Sequence, residues 1–265
     1  MNDAVIVSGA RTPVGRFGGA FKDLGAPDLG STAIKAALDR AGVSPDMVDE
    51  VVLGNAIQAA EAGYAARLAS LQAGIPHDTP TIAVNRQCSS GLEAINMAAQ
   101  LVRTGEADIV VAGGTENMSQ VPYLLDYKAR FDGLRMGNSQ LIDGLTEGLG
   151  CPVNRYHMGV TAENVAERFS VSREDQDELA VMSHQRASTA ISEGRFTNQI
   201  VTVSVPQRKG DPIPVMEDEG PRADTTIEGL SNLRPVFKKD GTVTAGNASS
   251  INDGSAAVVM MSAQK

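Results

Sequence analysis

The sequence predicts an α/β protein: a mostly parallel, mixed sheet with helices packed on it, interrupted by an inserted α+β segment. Three observations lead there. Strand-like and helix-like stretches alternate through residues 1–118, as crossover connections between neighbouring parallel strands require. The alternation stops near Ser119. Apolar, core-like sequence returns only from about residue 241.

The elements follow in order. AVIVSGA (Ala4 to Ala10) is a largely apolar run of strand length and reads as a buried strand. The Gly-rich GARTPVGRFGG after it has neither GxGxxG nor GxxxxGK[ST] spacing and contains Pro13, so it reads as an irregular connection, not a phosphate loop. Asp28 to Gly42 reads as a helix stopped by Gly42, Glu50 to Ile57 as a strand, Gly63 to Gly74 as a helix, and Thr79 to Asn85 as a strand. A helix is predicted from about Ser89 to Thr104, with Leu92, Ile95, Ala99 and Val102 on one face and Gly105 past its end. DIVVAGG (Asp108 to Gly114) closes the series as a strand.

The stretch from Tyr123 to Tyr156 has few strand signals. Two helices follow, TAENVAERF and SREDQDELAVMSHQRASTAISEG, the second opening with Ser172 three residues before Asp175, a capping-box spacing. QIVTVSV and DPIPVM are short β-like pieces, and Glu217 to Asn232 is polar. The predicted organisation is a core over 1–118, an insertion over 119–240, and a return to the core over 241–265 that ends in the strand AAVVMMS.

Composition narrows the function. With 265 residues, 42% hydrophobic and 21% charged, the chain is a globular protein with room for a sizeable core. A net charge of −9 gives no basic field for nucleic acid or an anionic membrane, and no run of about 18 apolar residues could span a bilayer. Two cysteines and three scattered histidines form neither a disulfide framework nor a metal-ligand spacing. The N-terminus lacks the pattern of a secretory signal, and a reducing, cytoplasmic location is the expectation.

The candidate nucleophile is Cys88, in VNRQCSSGLEAI. A strand ending at Asn85 and a helix beginning near Ser89 put this thiol at a helix N-terminus, where free amides and the helix dipole stabilise a thiolate. Ser89, Ser90 and Gly91 are small enough for a substrate carbonyl to approach, and the turn offers amides to a developing oxyanion. A cysteine is equally a small residue that fills cores. The local chemistry leaves both readings open.

VNRQCSSGLEAI resembles the active-site segment of thiolases, whose N-x-x-C-[SA]-[ST]-G-[LM] cysteine carries the acyl group. ARTPVGRFGG, AGGTENMS, YHMGVTAENVA, SREDQDELAVMS, LRPVF and GTVTAGNASSINDGSAAVVMMS resemble further thiolase segments, in the family's order and along essentially the whole chain. The resemblance implies one βαβαβ-type half of the thiolase fold with its inserted loop domain. It implies acyl transfer between thioesters through Cys88, with coenzyme A and acetyl-CoA as substrates and no tightly bound cofactor.

By the same resemblance His157 and Met158 lie near the acyl and pantetheine tunnel, Leu145 and Leu230 flank it, Arg222 lies near the nucleotide, and Ala245 and Ser249 lie along the pantetheine. Phe237 matches an aromatic near CoA. On their own, His157 reads as a structural histidine, Arg222 as a solvated loop charge, Ser249 as a turn cap and Phe237 as core. Arg208, Lys209 and Arg222 are the local cations available to a polyanionic ligand. Cys151, in GLGCPVN, departs from the family pattern and receives no role; Ser250 stands where the family usually has glycine.

YHMGVTAENVA favours a biosynthetic acetyl-CoA C-acetyltransferase over a degradative 3-ketoacyl-CoA thiolase of fatty-acid metabolism. The family's G-H-P, C-x-G-G-G and N-E-A-F segments, which supply a histidine, a second cysteine and an asparagine, do not occur in these 265 residues. The expectation is therefore an N-terminal fragment with little turnover alone, or a non-catalytic acyl-CoA-binding module. A homo-oligomer, dimer or tetramer, is expected, with no nucleic acid or membrane partner.

Overall fold

The computed structural model describes residues 2–59 and 63–265. In chain order the elements are β1 (Ala4–Arg11), β2 (Gly15–Arg16), α1 (Ala26–Ala41), β3 (Glu50–Gly54), α2 (Ala65–Gln72), β4 (Thr81–Val84), α3 (Ser90–Thr104) and β5 (Ile109–Asn117). Then come β6 (Tyr123–Leu125), α4 (Lys128–Asp132), β7 (Leu141–Asp143), α5 (Gly144–Gly148), α6 (Met158–Phe169), α7 (Arg173–Ser192), β8 (Val203–Val205), β9 (Ile213–Val215), α8 (Ile227–Ser231) and β10 (Asn252–Ser262). They form two compact units. One takes in the chain to Val121, Thr197–Glu219 and Ile251–Lys265; the other takes in Pro122–Phe196 and Gly220–Ser250.

The first unit is built on a mixed sheet of order β1-β10-β5-β3-β4, with β2 also paired to β10. β3 pairs parallel with β4 and β5, as the strand–helix alternation requires, whereas β10 pairs antiparallel with β1, β2 and β5. Side chains alternate across a strand, so each central strand feeds two cores. Val51, Leu53, Ile109, Val111 and Val259 join Ile34, Ala37 and Leu38 of α1 and Ala66 and Ala69 of α2. Val52, Val110, Ala112 and Met260 join Ala94, Ala98 and Val102 of α3. Helices α1 and α3 end where Gly42 and Gly105 take the left-handed conformation (φ 65° and 78°), which costs glycine little.

Three sequence expectations change here. β1 is not a buried strand: it lies at the sheet edge, with Val5, Ile6 and Val7 38, 56 and 43% exposed. An apolar run reports strand length, not which strand becomes an edge. The buried face of α3 runs through Ser90, Ala94, Ala98 and Val102, while Leu92 is 64% exposed. Small residues let α3 sit close on the sheet, a preference that a search for large apolar residues misses. Finally, the unit boundaries differ from an insertion over 119–240. Val203 and Val205 of β8 are buried with Phe21, Leu24 and Leu29, which assigns 197–219 to the first unit.

In the second unit, the stretch with few strand signals forms the antiparallel pair β6–β7 and the short helices α4 and α5. α7 carries the expected capping box: Ser172 Oγ accepts from the amide of Asp175, whose carboxylate accepts from Ser172 N. Glu163 of α6, 3% exposed, accepts from the amides of Thr242 and Val243 at 2.8–3.0 Å. These bonds pin the segment after Asp240 to α6.

Candidate functional site

Cys88 is exposed, and it stands two residues before the first residue of α3. The chain reaches it through Gln87, whose φ of 50° is left-handed, an unfavourable conformation for a residue with a Cβ. Ser90 closes the turn: its Oγ accepts from Arg86 N at 2.9 Å and donates to Gln87 O at 2.6 Å. The amides of Ser89 and Ser90 donate to Arg86 O and Gln87 O at 3.1 and 3.0 Å. These two amides are thus engaged within the turn. Arg86 pairs with Glu93 at 2.8 Å across the first turn of α3.

The strand ends beneath this turn are tightly built. A Cβ on Gly54 would lie 2.5 Å from the Ser90 carbonyl carbon and 2.6 Å from Gly91 N, so only glycine lets α3 start where it does. Asn55 Nδ2 donates to Thr115 O and to Glu116 Oε1 at 3.0 and 2.9 Å. Glu116 Oε2 accepts from the amides of Ala56 and Ile57 at 2.8 and 3.4 Å. Burial pushes the Glu116 carboxyl above its ordinary value, although these donors oppose the shift. Asn55 and Glu116 were given no role from sequence. The available signal was two polar residues near the ends of adjacent parallel strands.

The other candidates, from Leu145 to Ser249, lie on the second unit. His157 is the N-cap of α6: its Nδ1 accepts from Gly159 N at 3.0 Å, which leaves Nε2 to carry the proton of the neutral ring. Its ring stacks on Phe237, with centroids 5.0 Å apart and planes 10° apart. A Cβ on Gly159 would fall 2.3 Å from that phenyl ring. His157 thus caps α6 through Nδ1 and packs its ring on Phe237. Met158, the next residue, is 42% exposed.

His157 also lines an open pocket of about 320 Å³ with Thr146, Glu147, Gly150, Cys151, Pro152, Arg155 and Tyr156. The amides of Asn154 and Val153 hold the Cys151 thiol below its ordinary value. Cys151 is thus a thiol with its own activating donors, which its sequence context did not announce. Leu145 is buried on α5, where Asp143 accepts from its amide at 3.0 Å.

Leu230 and Ala245 are brought together. Leu230 is buried, and a Cβ on Gly246 would lie 2.5 Å from its side chain, so the turn bearing exposed Ala245 rests on it. Arg173 clamps the region, donating to Leu230 O at 2.6 Å and to Asp177 at 2.7 Å, while Asn247 donates to Asp177 at 2.8 Å. Ser249 is exposed beyond this turn. Arg222 is exposed and held by its backbone amide, which donates to His184 Nδ1 at 3.1 Å. Of the three local cations, Arg208 and Lys209 belong to the first unit and Arg222 to the second. Among the described residues no group of three or more His, Cys, Asp or Glu could hold a metal ion.

The chain matches known proteins along its length. The family model described as "Thiolase, N-terminal domain" matches residues 4–264. Proteins named probable acetyl-CoA acyltransferase from Staphylococcus aureus strains COL and NCTC 8325 / PS 47 are each 50% identical over 266 residues, covering 100% of this chain and 67% of their own lengths. The crystal structure of the Bacillus anthracis acetyl-CoA acetyltransferase matches with a TM-score of 0.95 at 43% identity, covering 100% of this chain and 66% of that one. The chain thus spans about two thirds of the length of these relatives.

Proposed function

The chain belongs to the thiolase family, and from that premise we propose that it is the acyl-carrying part of an acetyl-CoA C-acetyltransferase working through Cys88. The observation that carries the reading is the turn at Gln87–Ser90, which holds an exposed thiol at the start of a 15-residue helix. Cys88 Sγ attacks the thioester carbonyl of acetyl-CoA; the new C–S bond forms as the bond to CoA breaks, and the thiol proton leaves with the CoA sulfur. A second acetyl-CoA, its α-proton lost, attacks the acetyl carbonyl; the C–C bond forms as the bond to Cys88 Sγ breaks, giving acetoacetyl-CoA and a Cys88 thiolate that regains a proton. Coenzyme A is a substrate here, covered along its pantetheine by Leu145, Met158, Leu230, Ala245 and Ser249 and met near its nucleotide by Arg222. His157, at the N-cap of α6, lies near the same pantetheine.

These 265 residues contain no G-H-P histidine and no C-x-G-G-G cysteine. In the family those two groups serve the carbanion step, and general acid–base help of that kind is a contribution of about 10²–10⁴ in rate. This favours a second reading for the chain by itself, a module that binds acyl-CoA without turning it over. Both free thiols suit a reducing, cytoplasmic compartment, and the large apolar side chains exposed on the second unit suit a homo-oligomer. Fatty-acid metabolism is the setting that such a reaction serves.

The test is incubation with acetyl-CoA followed by intact-protein mass. The expected result is one acetyl adduct that survives Cys151→Ser and disappears in Cys88→Ser, with no acetoacetyl-CoA released. An adduct confined to Cys151 sinks the assignment of Cys88, and binding with no adduct establishes the module.

A further inference from the structure

The left-handed turn that presents Cys88 is fastened from outside by a continuous relay of hydrogen bonds. Glu116 Oε2 accepts from Ala56 N at 2.8 Å; Ala56 O accepts from Asn85 Nδ2 at 2.9 Å; Asn85 Oδ1 accepts from Gln87 N at 3.0 Å. The relay starts on β5, crosses the peptide that follows β3, and ends on the residue with φ 50° next to the thiol. We propose that Glu116 and Asn85 are positioning residues for Cys88, acting through Ala56 and Gln87 to hold the strained turn. The proposal rests on Cys88 being the acyl carrier and adds which groups keep it presented.

The physics gives the relay work to do. A left-handed residue with a Cβ is unfavourable and persists only where its surroundings over-determine it. Ser90 supplies one set of constraints from within the turn, and Asn85 supplies another by bonding at both ends of its amide. Asn85 is itself exposed, so its orientation depends on a fixed Ala56 carbonyl. Glu116 fixes that peptide by accepting from two successive amides. Asn55 in turn commits both protons of its amide to Thr115 O and Glu116, while its Oδ1 is buried with no partner among the described residues. Leaving a buried acceptor unsatisfied is destabilising. Such a cost is retained where the geometry it secures matters.

The experiment reads carbamidomethylation of the two thiols by iodoacetamide, peptide by peptide, in the whole chain, with Cys151 as the internal reference. Glu116→Ala and Asn85→Ala are each expected to lower the Cys88 to Cys151 rate ratio about tenfold, with Glu116→Gln, which keeps one acceptor, recovering most of it. The double variant is expected to be no slower than the slower single variant, because both cut one relay. A purely stabilising role moves the melting temperature and leaves the ratio alone. The proposal is overturned if both single variants keep the ratio within twofold of the unsubstituted chain, or if the two losses multiply in the double variant. Should Glu116→Ala not fold, Asn85→Ala and Glu116→Gln carry the same comparison. Alkylation needs no acyl-CoA, so an absent acetyl adduct in the unsubstituted chain counts against the proposed reaction, whereas an unchanged ratio counts against the relay.

Discussion

At the scale of single residues, chemistry and position part company. Cys88 is legible from VNRQCSSG because a thiol before a small-residue helix start has a recognisable use. The capping role of His157 is not, because nothing in the sequence tells that this imidazole caps its own helix; the bond from Gly159 N shows that it does. Glu163 shows the same limit. Burial acts to raise its carboxyl, but the Thr242 and Val243 amides, the Thr242 hydroxyl and Lys238 outweigh it and hold the group below its ordinary 4.5. A depressed carboxyl stabilises the fold above its unfolded value, and that stability is lost as pH falls through the folded value. Glu163→Gln should therefore lower the melting temperature at pH 7 by roughly 4–8 °C, from about 2 kcal/mol of lost charged hydrogen bonds at about 2–4 °C per kcal/mol. The gap should close in titrations carried to acid, where native Glu163 takes up its proton. A gap that persists unchanged in acid assigns the effect to packing instead of charge.

At the scale of elements, the periodic signals were sound and the faces less so. Helices and strands of the first unit fall within a few residues of their predicted spans because length, apolar pattern and glycine stops are local properties. The packed face of α3 is not local. Ala94 and Ala98 face the sheet where α3 lies close on it, and that closeness depends on Gly54 at the end of β3 and Gly114 within β5. Gly54→Ala pushes a methyl group into the backbone of Ser90 and Gly91, so the first turn of α3 must move. It should cost about 1–3 kcal/mol, the usual penalty of overpacking, and should slow Cys88 alkylation. Gly63→Ala, with nothing among the described residues within 4 Å of its new Cβ, is the control expected to do neither. Chemical denaturation and thiol labelling on the two variants measure both effects.

At the scale of the whole molecule, the second unit exposes large apolar side chains along its β6–β7 segment: Tyr123, Tyr127, Phe131, Leu134, Met136 and Leu141 are 66–105% exposed. So many large apolar groups in one stretch favour association in water. Sedimentation velocity should find the chain associated, and Phe131→Lys with Leu134→Lys should shift it toward smaller species; an unsubstituted chain that sediments as a monomer refutes this. The sequence by itself determined the α/β class, the strand–helix alternation, the capping of α7 and the identity of the candidate nucleophile, because each is written in neighbouring residues. Only the tertiary structure decided that β10, from the far end of the chain, sits between β1 and β5, that 197–219 pack with the first unit, and that Glu116 reaches the Cys88 turn through Ala56 and Asn85. Those choices join residues from about 30 to more than 200 positions apart. They are settled by which buried faces and hydrogen-bond donors find partners once the whole chain has folded, and no local pattern records them.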